Sequence, residues 1–422
     1  MNQTIQRRRE RAELALQSSS DALVLVGAGE PIAVPGGLDR VYPFSAHPHH
    51  RWLTGRNDAG AVLAYDPGEG WRDFAPELTD DDRIWEGITS RAGEPISGLK
   101  PWLAARSGRP IAMLGVPVEG IAGDTELSAE LDQQLLHARR PKDQTEITLM
   151  NRAIEATAAG FARARAFAEP GVTERAIQIE LEAECFRHGG EAMGYGTIVG
   201  AGPNAAILHF APSERTVKHG EIMFIDAGCE IKGYAADVSR AFVIGESSAM
   251  QRDLHAIVLD AERWAITQCT PGTEWKDLHL RTALRMTQGL IDLGILTGSA
   301  EGLVERDAHA LFFPHGLGHL VGLGVRDASG YLPGRSPSNR FGLAFLRMDL
   351  PLEQGYITTV EPGLYFIEPL LRDPANRENY HDAVNWTEVD RWIGIGGIRI
   401  EDNILITDSE PINLTESIPV GL

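Results

Sequence analysis

Short apolar runs that end at glycine or at Asp-Pro recur in the first third of the chain. Three of them, at residues 22–26, 61–65 and 111–115, have the length and composition of buried β-strands. No cluster of residues with catalytic chemistry accompanies them. The pattern therefore predicts a first α/β domain over residues 1–140.

A helical pattern replaces the strand pattern after residues 139–142. Asp143 and Glu146 have the spacing of a capping box, and apolar residues then recur at helical intervals over several turns. A Pro-Gly pair at 170–171 ends this helix, because neither residue continues one readily. The change in pattern predicts that a second domain begins here and occupies the rest of the chain, residues 141–422.

One arrangement of glycines and acids occurs twice in this second domain. In each copy, a glycine lies six positions before one acid, and another glycine lies four positions before a second acid. The acids of the first copy are Asp226 and Asp237, and those of the second copy are Glu361 and Glu401. Two related halves would place the four carboxylates around a shared centre.

These acids follow or flank apolar runs of the kind that form buried strands. A buried carboxylate is costly unless a cation or a basic side chain neutralises its charge. Arg240 and Arg399 are too few to neutralise four acids, so the sequence predicts bound divalent metal. The alternative is that each acid pairs with an arginine or caps a turn at the end of a strand.

Histidines near these acids extend the predicted site. His315 and His319 lie four positions apart in a glycine-rich segment, whereas His209 lies alone between apolar neighbours. A lone histidine in such a run is also compatible with a packed core position. Carboxylate and histidine donors suit Mn²⁺ or Co²⁺, with Zn²⁺ as an alternative, and two such ions would activate water for hydrolysis.

Composition and charge exclude several classes of protein. Hydrophobic residues make up 43% and charged residues 23% of the chain, which is typical of a globular fold. The net charge of -20 disfavours nucleic acid as a partner. We interpret the single basic run, residues 7–9 with Arg11, as the solvated face of a first helix. The histidines at 47, 49 and 50 are too dense in sequence for us to expect a metal site there.

Cysteine usage and hydropathy indicate the compartment. Cys185, Cys229 and Cys269 are an odd number without metal-type spacing, which argues against a disulfide framework. The amino terminus lacks an apolar signal core, and the chain has no run of about 18 apolar residues. We therefore expect a cytoplasmic protein that does not span a membrane.

The order and spacing of these motifs resemble the group of prolidase and aminopeptidase P, in the methionine-aminopeptidase-like superfamily of metallopeptidases. The matching motifs are Leu208-His209-Phe210, Asp226, Asp237, His315-Gly-Leu-Gly-His319, Thr359-Val-Glu361-Pro-Gly363 and Gly397-Ile-Arg399-Ile-Glu401-Asp402. The resemblance implies a mixed α/β (α+β) fold. A pita-bread catalytic domain of two pseudo-symmetric halves would occupy residues 141–422, after a smaller creatinase-like α/β domain at residues 1–140.

The same resemblance implies a role for each site residue. Two divalent ions, with Mn²⁺ as the first choice, would be held by Asp226, Asp237, His319, Glu361 and Glu401. A hydroxide bridging the two ions would attack the scissile carbonyl. Catalytic roles fall to His209, His315, Glu361 and Arg399, and substrate binding falls to His209, His315, Tyr365 and Arg399. A homodimer is also implied.

Arg326 departs from the family pattern, which usually has histidine at this position. It could bind a substrate carboxylate, because a planar guanidinium suits that group, or it could lower or redirect the activity. The alternative is an ion pair between Arg326 and Asp327 or another nearby acid. The five residues that the resemblance assigns to metal are intact.

The function that the resemblance favours is hydrolysis of the Xaa-Pro bond in dipeptides, the prolidase reaction. The stretch between Tyr365 and Gly394 and the segments within residues 50–90 favour prolidase over aminopeptidase P. Aminopeptidase P, which removes the N-terminal residue from longer Xaa-Pro peptides, is the alternative. A metal-free pita-bread binding module or a creatinase-like enzyme is disfavoured, because such proteins lack the complete set of acids and histidines that this chain keeps.

Overall fold

The computed structural model describes residues 3–17 and 21–422. Contacts between Cα atoms divide the chain into two compact units, Met1–Arg139 and Arg140–Leu422. The sequence pattern places the change between residues 140 and 141. None of the helices in the described ranges is both long enough and apolar enough to cross a membrane.

The N-terminal unit is built around one five-stranded sheet. Its helices are α1 (Gln3–Leu16), α2 (Pro48–Thr54), α3 (Asp80–Ile84), α4 (Leu99–Ala104) and α5 (Thr125–Arg139). Its strands are β1 (Leu23–Gly27), β2 (Val62–Asp66), β3 (Gly70–Ala75), β4 (Glu94–Pro95) and β5 (Ile111–Gly115). The strand order is β4-β3-β2-β1-β5, with β1 antiparallel to β2 and parallel to β5. The three strands predicted from apolar runs are thus confirmed as β1, β2 and β5.

The basic run on α1 is not simply a solvated face. Arg8 and Arg9 are each only 6% exposed. The Arg9 guanidinium donates to the carbonyl of Leu53 at 3.0 Å and pairs with Asp73 at 3.0 Å. The prediction is therefore wrong for these two arginines, because their long stems cover apolar surface while their heads bond to groups inside the unit.

The three histidines near position 50 have structural partners in the N-terminal unit. The His47 imidazole caps α2 by accepting a hydrogen bond from the backbone N–H of His49 at 3.2 Å. The ring of His49 lies between Asp132, at 2.9 Å, and Arg139, at 2.8 Å. Because arginine only donates, His49 Nδ1 accepts and His49 Nε2 donates to the carboxylate.

The C-terminal unit contains two sets of paired helices and strands. Its helices are α6 (Gln144–Phe167), α7 (Glu174–Arg187), α8 (Ala249–Thr267), α9 (Trp275–Asp292), α10 (Ala300–Glu305), α11 (Glu368–Leu371), α12 (Pro374–Asn379) and α13 (Trp386–Trp392). Its strands are β6 (Ala192–Met193), β7 (Ile198–Ala201), β8 (Ile222–Ala227), β9 (Cys229–Ile231), β10 (Tyr234–Ala235), β11 (Val238–Val243), β12 (Gly330–Tyr331), β13 (Met348–Asp349), β14 (Ile357–Val360), β15 (Gly363–Tyr365), β16 (Gly397–Arg399), β17 (Asp402–Leu405) and β18 (Ile412–Asn413).

Capping residues define where the first two of these helices begin. Asp143 accepts from the backbone N–H of Glu146 at 3.0 Å, and the Glu146 carboxylate accepts from the N–H of Asp143 at 3.0 Å. This reciprocal pair is the predicted capping box, and it satisfies two N–H groups that the helix leaves unbonded. Thr173 caps α7 by accepting from Ala176 N at 3.1 Å.

Two antiparallel strand pairs, which we call the two hairpins although other elements lie between their strands in sequence, carry the repeated acids. In the first hairpin β8 pairs with β11, and Asp226 lies opposite Ser239. In the second hairpin β14 pairs with β17. Asp237 directly precedes β11, Glu401 directly precedes β17, and Glu361 directly follows β14. An isolated bridge between Ser239 and Glu401 joins the two hairpins, so the repeat in the sequence becomes a pair of facing acid-bearing strands.

The first hairpin is buried on both faces, which explains why its strands are apolar throughout. Ile222 and Phe224 belong to the core cluster formed with α8 and α9, whereas Met223 and Ile225 belong to the cluster formed with α6 and α7. Each fully buried side chain of this kind contributes roughly 1.5–3 kcal/mol to folding. The three cysteines also lie buried in the unit, and no disulfide joins them.

A buried histidine on α9 supports the segment that carries His315. The ring of Phe313 lies 5.4 Å from His279 and 4.9 Å from His315. His279 is fully buried and donates from Nε2 to the carbonyl of Gly342 at 3.0 Å. Burial lowers the pKa of His279 to about 4; the Gly342 carbonyl opposes this and the positive charge of Arg340 adds to it.

This pKa predicts acid destabilisation that depends on His279. The unfolded chain takes up a proton at the ordinary pKa of about 6.5, so stability is complete above that pH and falls towards pH 4. A His279→Gln variant, which keeps an N–H donor but does not titrate, should lose less stability. Urea unfolding of the metal-free proteins measures this difference. Between pH 7 and pH 4.5, the wild type should lose about 2–3 kcal/mol more unfolding free energy than His279→Gln. Parallel pH curves for the two proteins would contradict this assignment.

Candidate active site

Three of the predicted metal ligands form a compact group at the junction of the two hairpins. Asp237, His319 and Glu401 each offer a ligand atom, and these atoms lie within 4.8 Å of one another. All three residues are buried, with exposures of 5%, 5% and 2%. The His319 Nε2 atom lies 3.4 Å from Asp237 Oδ2. A group of two carboxylates and one imidazole in this arrangement can hold a divalent cation.

The orientation of His319 suits a metal ligand. Its Nδ1 atom donates to the carbonyl of Leu320 at 3.1 Å, which leaves the Nε2 lone pair facing the acids. Gly318 makes this placement possible, because a Cβ atom there would lie 2.2 Å from the Thr359 carbonyl oxygen. A glycine is therefore required at position 318, because this segment approaches β14 closely.

Asp226 and Glu361 line the same cavity but lie outside this compact group. Asp226 accepts from the hydroxyl of Tyr195 at 2.7 Å through Oδ1, and its Oδ2 atom pairs closely with Arg399. Glu361 Oε1 lies 3.9 Å from His319 Nε2. The five predicted ligands thus converge on one place, with Asp226 partly neutralised by an arginine.

Arg399 organises the inner end of the cavity. It is 5% exposed and donates from Nε to Ser239 Oγ at 2.8 Å, while Ser239 Oγ donates to Glu401 Oε2 at 2.5 Å. Through Nη1 it donates to the hydroxyl of Tyr365 at 2.9 Å. One buried guanidinium therefore orients a carboxylate, a serine and a tyrosine together.

The tautomer of His315 follows from this chain of hydrogen bonds. The Tyr365 hydroxyl accepts a hydrogen bond from Arg399 and can donate one to His315 Nε2, 3.0 Å away. His315 Nδ1 lies 2.8 Å from the carbonyl of Gly316, so it carries the hydrogen. Burial, followed by the charge of Arg399, lowers the pKa of His315 to about 3. His315 is therefore a neutral imidazole at physiological pH.

The pKa values of Asp226, Glu361 and Glu401 are raised because each carboxyl group is buried near other acids. Burial raises the pKa of Glu361 to about 7, although Arg399 and His319 oppose the rise. Burial, reinforced by Asp237, Glu361 and Asp226, raises the pKa of Glu401 well above its usual range. The charge carried by four clustered carboxylates exceeds what Arg399 and one histidine can balance, so the residues present fit a binding site for divalent cations.

Two of the remaining predicted site residues, His209 and Arg326, line the cavity, which has a volume of about 760 Å³, and the third, Tyr365, lies behind it. His209 lies in a turn, is exposed and lines the cavity, so the alternative of a packed core histidine is wrong. Arg326 is also exposed and lines the cavity. Tyr365 is fully buried and supports His315 and Arg399 from behind.

Four residues at the site are not predicted from the sequence motifs. Tyr195 contacts Asp226, Ser239 connects Arg399 to Glu401, and two further arginines, Arg175 and Arg347, line the cavity. Tyr195 lies between β6 and β7, which is distant in sequence from every acid it approaches. The spacing of Ser239 could identify it. Ser239 lies two positions after Asp237, which directly precedes β11, and side chains two positions apart in an extended segment face the same side.

Comparison with known proteins identifies the family. Residues 148–408 match the model of metallopeptidase family M24. The Xaa-Pro aminopeptidase of Escherichia coli is 31% identical over 452 aligned positions, which cover 99% of this chain and 95% of that protein. The structure of Pseudomonas aeruginosa aminopeptidase PepP has a TM-score of 0.80 and 26% identity, with 98% of this chain and 95% of that chain covered. Zinc-substituted E. coli aminopeptidase P in complex with product has a TM-score of 0.78 and 27% identity, with 99% of this chain and 95% of that chain covered.

These similarities confirm the predicted family group and the mixed α/β architecture of pita-bread type with an N-terminal domain. They do not support the preference for prolidase, because these relatives are named as aminopeptidases. The aminopeptidase P alternative fits the comparisons better than the prolidase reaction, which the segments between residues 50 and 90 and between Tyr365 and Gly394 favour. The chain belongs to metallopeptidase family M24.

Proposed function

We propose that this chain is an aminopeptidase of the aminopeptidase P type, which removes the N-terminal residue from peptides with proline in second position. The observation that supports it most is the cavity in which buried carboxylates, a neutral histidine and a buried arginine converge. The similarity to Xaa-Pro aminopeptidases extends over 99% of the chain. The proposal favours longer peptides over dipeptides because the relatives are named Xaa-Pro aminopeptidases.

Asp226, Asp237, His319, Glu361 and Glu401 would hold two divalent ions in this proposal. Such ions, when bound, lower the pKa of coordinated water and polarise the scissile carbonyl. We further propose Mn²⁺ as the native metal, with Co²⁺ or Zn²⁺ as alternatives, because oxygen donors outnumber the single imidazole. A homodimer in the cytoplasm, with residues 141–422 as the catalytic domain and residues 1–140 as the smaller domain, completes the proposal.

The side chains of the cavity divide the remaining chemistry. Hydrolysis adds the hydroxyl of water to the acyl carbon and a proton to the proline nitrogen. Glu361 would carry that proton, because its side chain is 16% exposed and lies 3.6 Å from His315 and 3.9 Å from His319. His209, at the exposed wall, would donate a hydrogen bond to the substrate. His315 would contact the substrate with its neutral ring, and Arg399 with Tyr365 would keep that ring oriented.

Hydrolysis of three peptides tests the proposal. Ala-Pro-Ala, Ala-Pro and Gly-Pro are incubated with the metal-stripped protein, with and without added Mn²⁺. We expect metal-dependent release of alanine from Ala-Pro-Ala at a kcat/KM at least about tenfold above that of either dipeptide, since an extended peptide contacts more of the cavity.

The other outcomes are equally informative. Cleavage of the dipeptides alone would replace the proposal with prolidase activity. Cleavage that is indifferent to metal removal would contradict the metal-dependent mechanism. Absence of cleavage, despite tight Mn²⁺ binding measured by calorimetry, would exclude Xaa-Pro peptides as the substrate class.

A further inference from the structure

The cavity has two ends of opposite charge. Its inner end contains the buried acids, whereas Arg175, Arg326 and Arg347 line it with exposed side chains. Exposed residues of a cavity lie at its solvent side, so the three arginines form its rim. We call Arg175, Arg326 and Arg347 the arginine rim. A net charge of -20 for the chain makes such a local excess of positive charge unexpected.

The arginines of the rim are not neutralised by carboxylates. Within residues 3–17 and 21–422, none of the three has an ion-pair partner within 4.0 Å; Arg175 donates to the neutral Gln178 at 2.7 Å, and Arg347 lies over the Phe345 ring at 5.5 Å. Elsewhere the arginines of this acidic chain commonly pair with acids, as Arg306 does with Asp382 at 2.8 Å. The rim therefore keeps its guanidinium groups available to a ligand.

Arg326 lies in a turn that a buried ion pair of the next residue holds in place. The neighbouring Asp327 pairs with Lys142 at 3.0 Å, and both side chains are buried. This removes the alternative in which Arg326 simply pairs with Asp327. The following strand β12 pairs with β13, which begins directly after Arg347. The strand pair connects the segments that carry the two arginines.

The chemistry of the rim fits a carboxylate. Guanidinium groups bind carboxylates through paired, charge-assisted hydrogen bonds. The wall of the cavity also contains apolar side chains, among them Phe210, Pro212 and Phe345. A short peptide is positively charged at its amino end and negatively charged at its carboxyl end. With the inner acids balanced by the proposed ions, the basic rim would attract the carboxyl end of such a peptide and leave its amino end towards the inner end of the cavity.

We propose that the arginine rim recognises a carboxylate that follows proline in the substrate. This inference rests on the proposed function and names its substrate class: short Xaa-Pro peptides with an anionic group beyond the proline. The carboxylate has two possible sources, the free C-terminus of a short peptide and an aspartate or glutamate side chain. Both present the same group to the guanidinium.

Four peptides distinguish the two sources. They are Ala-Pro-Ala-Ala as the free acid, the same peptide as its C-terminal amide, Ala-Pro-Ala-Glu-amide and Ala-Pro-Ala-Gln-amide. The Mn²⁺-loaded wild-type protein should cleave the free acid, or the glutamate peptide, with a kcat/KM roughly 5- to 20-fold above its neutral counterpart. The difference should appear in KM, because the rim contacts a part of the substrate that does not react.

The variants Arg326→Gln and Arg347→Gln, and the triple variant that adds Arg175→Gln, assign the effect to the rim. We expect the ratio of kcat/KM between charged and neutral peptides to fall to about twofold or less in the triple variant. Arg152→Gln is the matched control, because Arg152 is exposed on α6 and does not line the cavity. It should keep the wild-type ratio. Equal cleavage of charged and neutral peptides by the wild type, or an unchanged ratio in the triple variant, would overturn the inference.

Equilibrium binding separates this inference from the proposed function. Calorimetry with Pro-Ala-Ala and its C-terminal amide, and with Pro-Ala-Glu-amide and Pro-Ala-Gln-amide, compares charged and neutral ligands without turnover. Tighter binding of a charged ligand that the triple variant loses would support the rim even if no peptide is cleaved. Equal binding within both pairs would contradict the rim whether or not peptides are cleaved.

Discussion

Replacing Glu401 with glutamine is expected to abolish metal binding and to reduce peptide hydrolysis by roughly a thousandfold or more. Glu401 belongs to the compact group with Asp237 and His319 and is 2% exposed. Glutamine has nearly the same shape and keeps an oxygen that can accept from Ser239, but it carries no negative charge. Calorimetric titration of the metal-stripped protein with Mn²⁺ measures the first effect, and hydrolysis of Ala-Pro-Ala measures the second.

The same substitution should not destabilise the metal-free protein. Glu401 is buried among other acids, which makes a negative charge at this position unfavourable and raises its pKa. A neutral glutamine avoids that unfavourable charge. We therefore expect the melting temperature without metal to be unchanged or higher in Glu401→Gln. Mn²⁺ should raise the melting temperature of the wild type and not that of the variant. A lower melting temperature without metal would indicate that Glu401 has a structural role instead.

Glu262→Gln is a suitable control for this experiment. Glu262 is a buried glutamate of α8 that does not line the cavity. Burial, followed by the charge of Asp402, raises its pKa to about 9, so it is protonated at neutral pH. Glutamine resembles the protonated acid, and metal binding should be retained. Loss of metal binding in this variant would mean that replacing any buried glutamate disturbs the site.

The largest loss of stability is expected for Arg240→Met. Arg240 is 3% exposed and pairs with the buried Asp402 at 2.6 Å. It also donates to the carbonyls of Glu401 at 2.8 Å and Ile418 at 3.0 Å. Methionine fills similar space but removes the positive charge beside the buried carboxylate and the donor to the two carbonyl groups. The expected cost is about 3–5 kcal/mol, measured by hydrogen exchange of β11 and β17 amides in the metal-free protein.

A second substitution tests the cause of this loss. Replacing Asp402 with asparagine in the Arg240→Met background removes the uncompensated charge, and it should restore a large part of the lost stability. Arg306→Met is the matched control, because Arg306 makes a bidentate pair with Asp382 at the surface. That variant should lose far less stability than Arg240→Met, because an ion pair in contact with solvent contributes little. Equal losses in the buried and exposed pairs would show that burial does not govern the cost.

Local signals predict the framework of the site correctly. The capping box at Asp143 begins α6, and the repeated glycine-acid spacing becomes two hairpins. Both signals depend on residues that are close in sequence. Gly228 illustrates the constraint, since a Cβ atom there would lie 1.9 Å from the carbonyl oxygen of Ala236. Such glycines are needed wherever the two arms of a hairpin approach closely.

Contacts between distant segments are what the sequence does not predict. Tyr195 reaches Asp226, and Ser239 reaches Glu401, only because separate elements of the fold bring them together. The burial of Arg8 and Arg9 also depends on what lies against α1, whereas their charge alone suggests exposure. The choice between prolidase and aminopeptidase P also depends on distant segments, because these segments together shape the cavity.

The division of the acids between two hairpins has a consequence for the order of biosynthesis. The proposed ligands extend from Asp226 to Glu401 in a chain of 422 residues. A ribosome must therefore have translated past Glu401 before the last of these acids can leave its exit tunnel. Until then the emerged part lacks a complete set of ligands, and the remaining acids cannot capture an ion in the final arrangement. Metal uptake would consequently follow the synthesis of both hairpins, and a product that ends between Asp237 and Glu401 would stay unloaded.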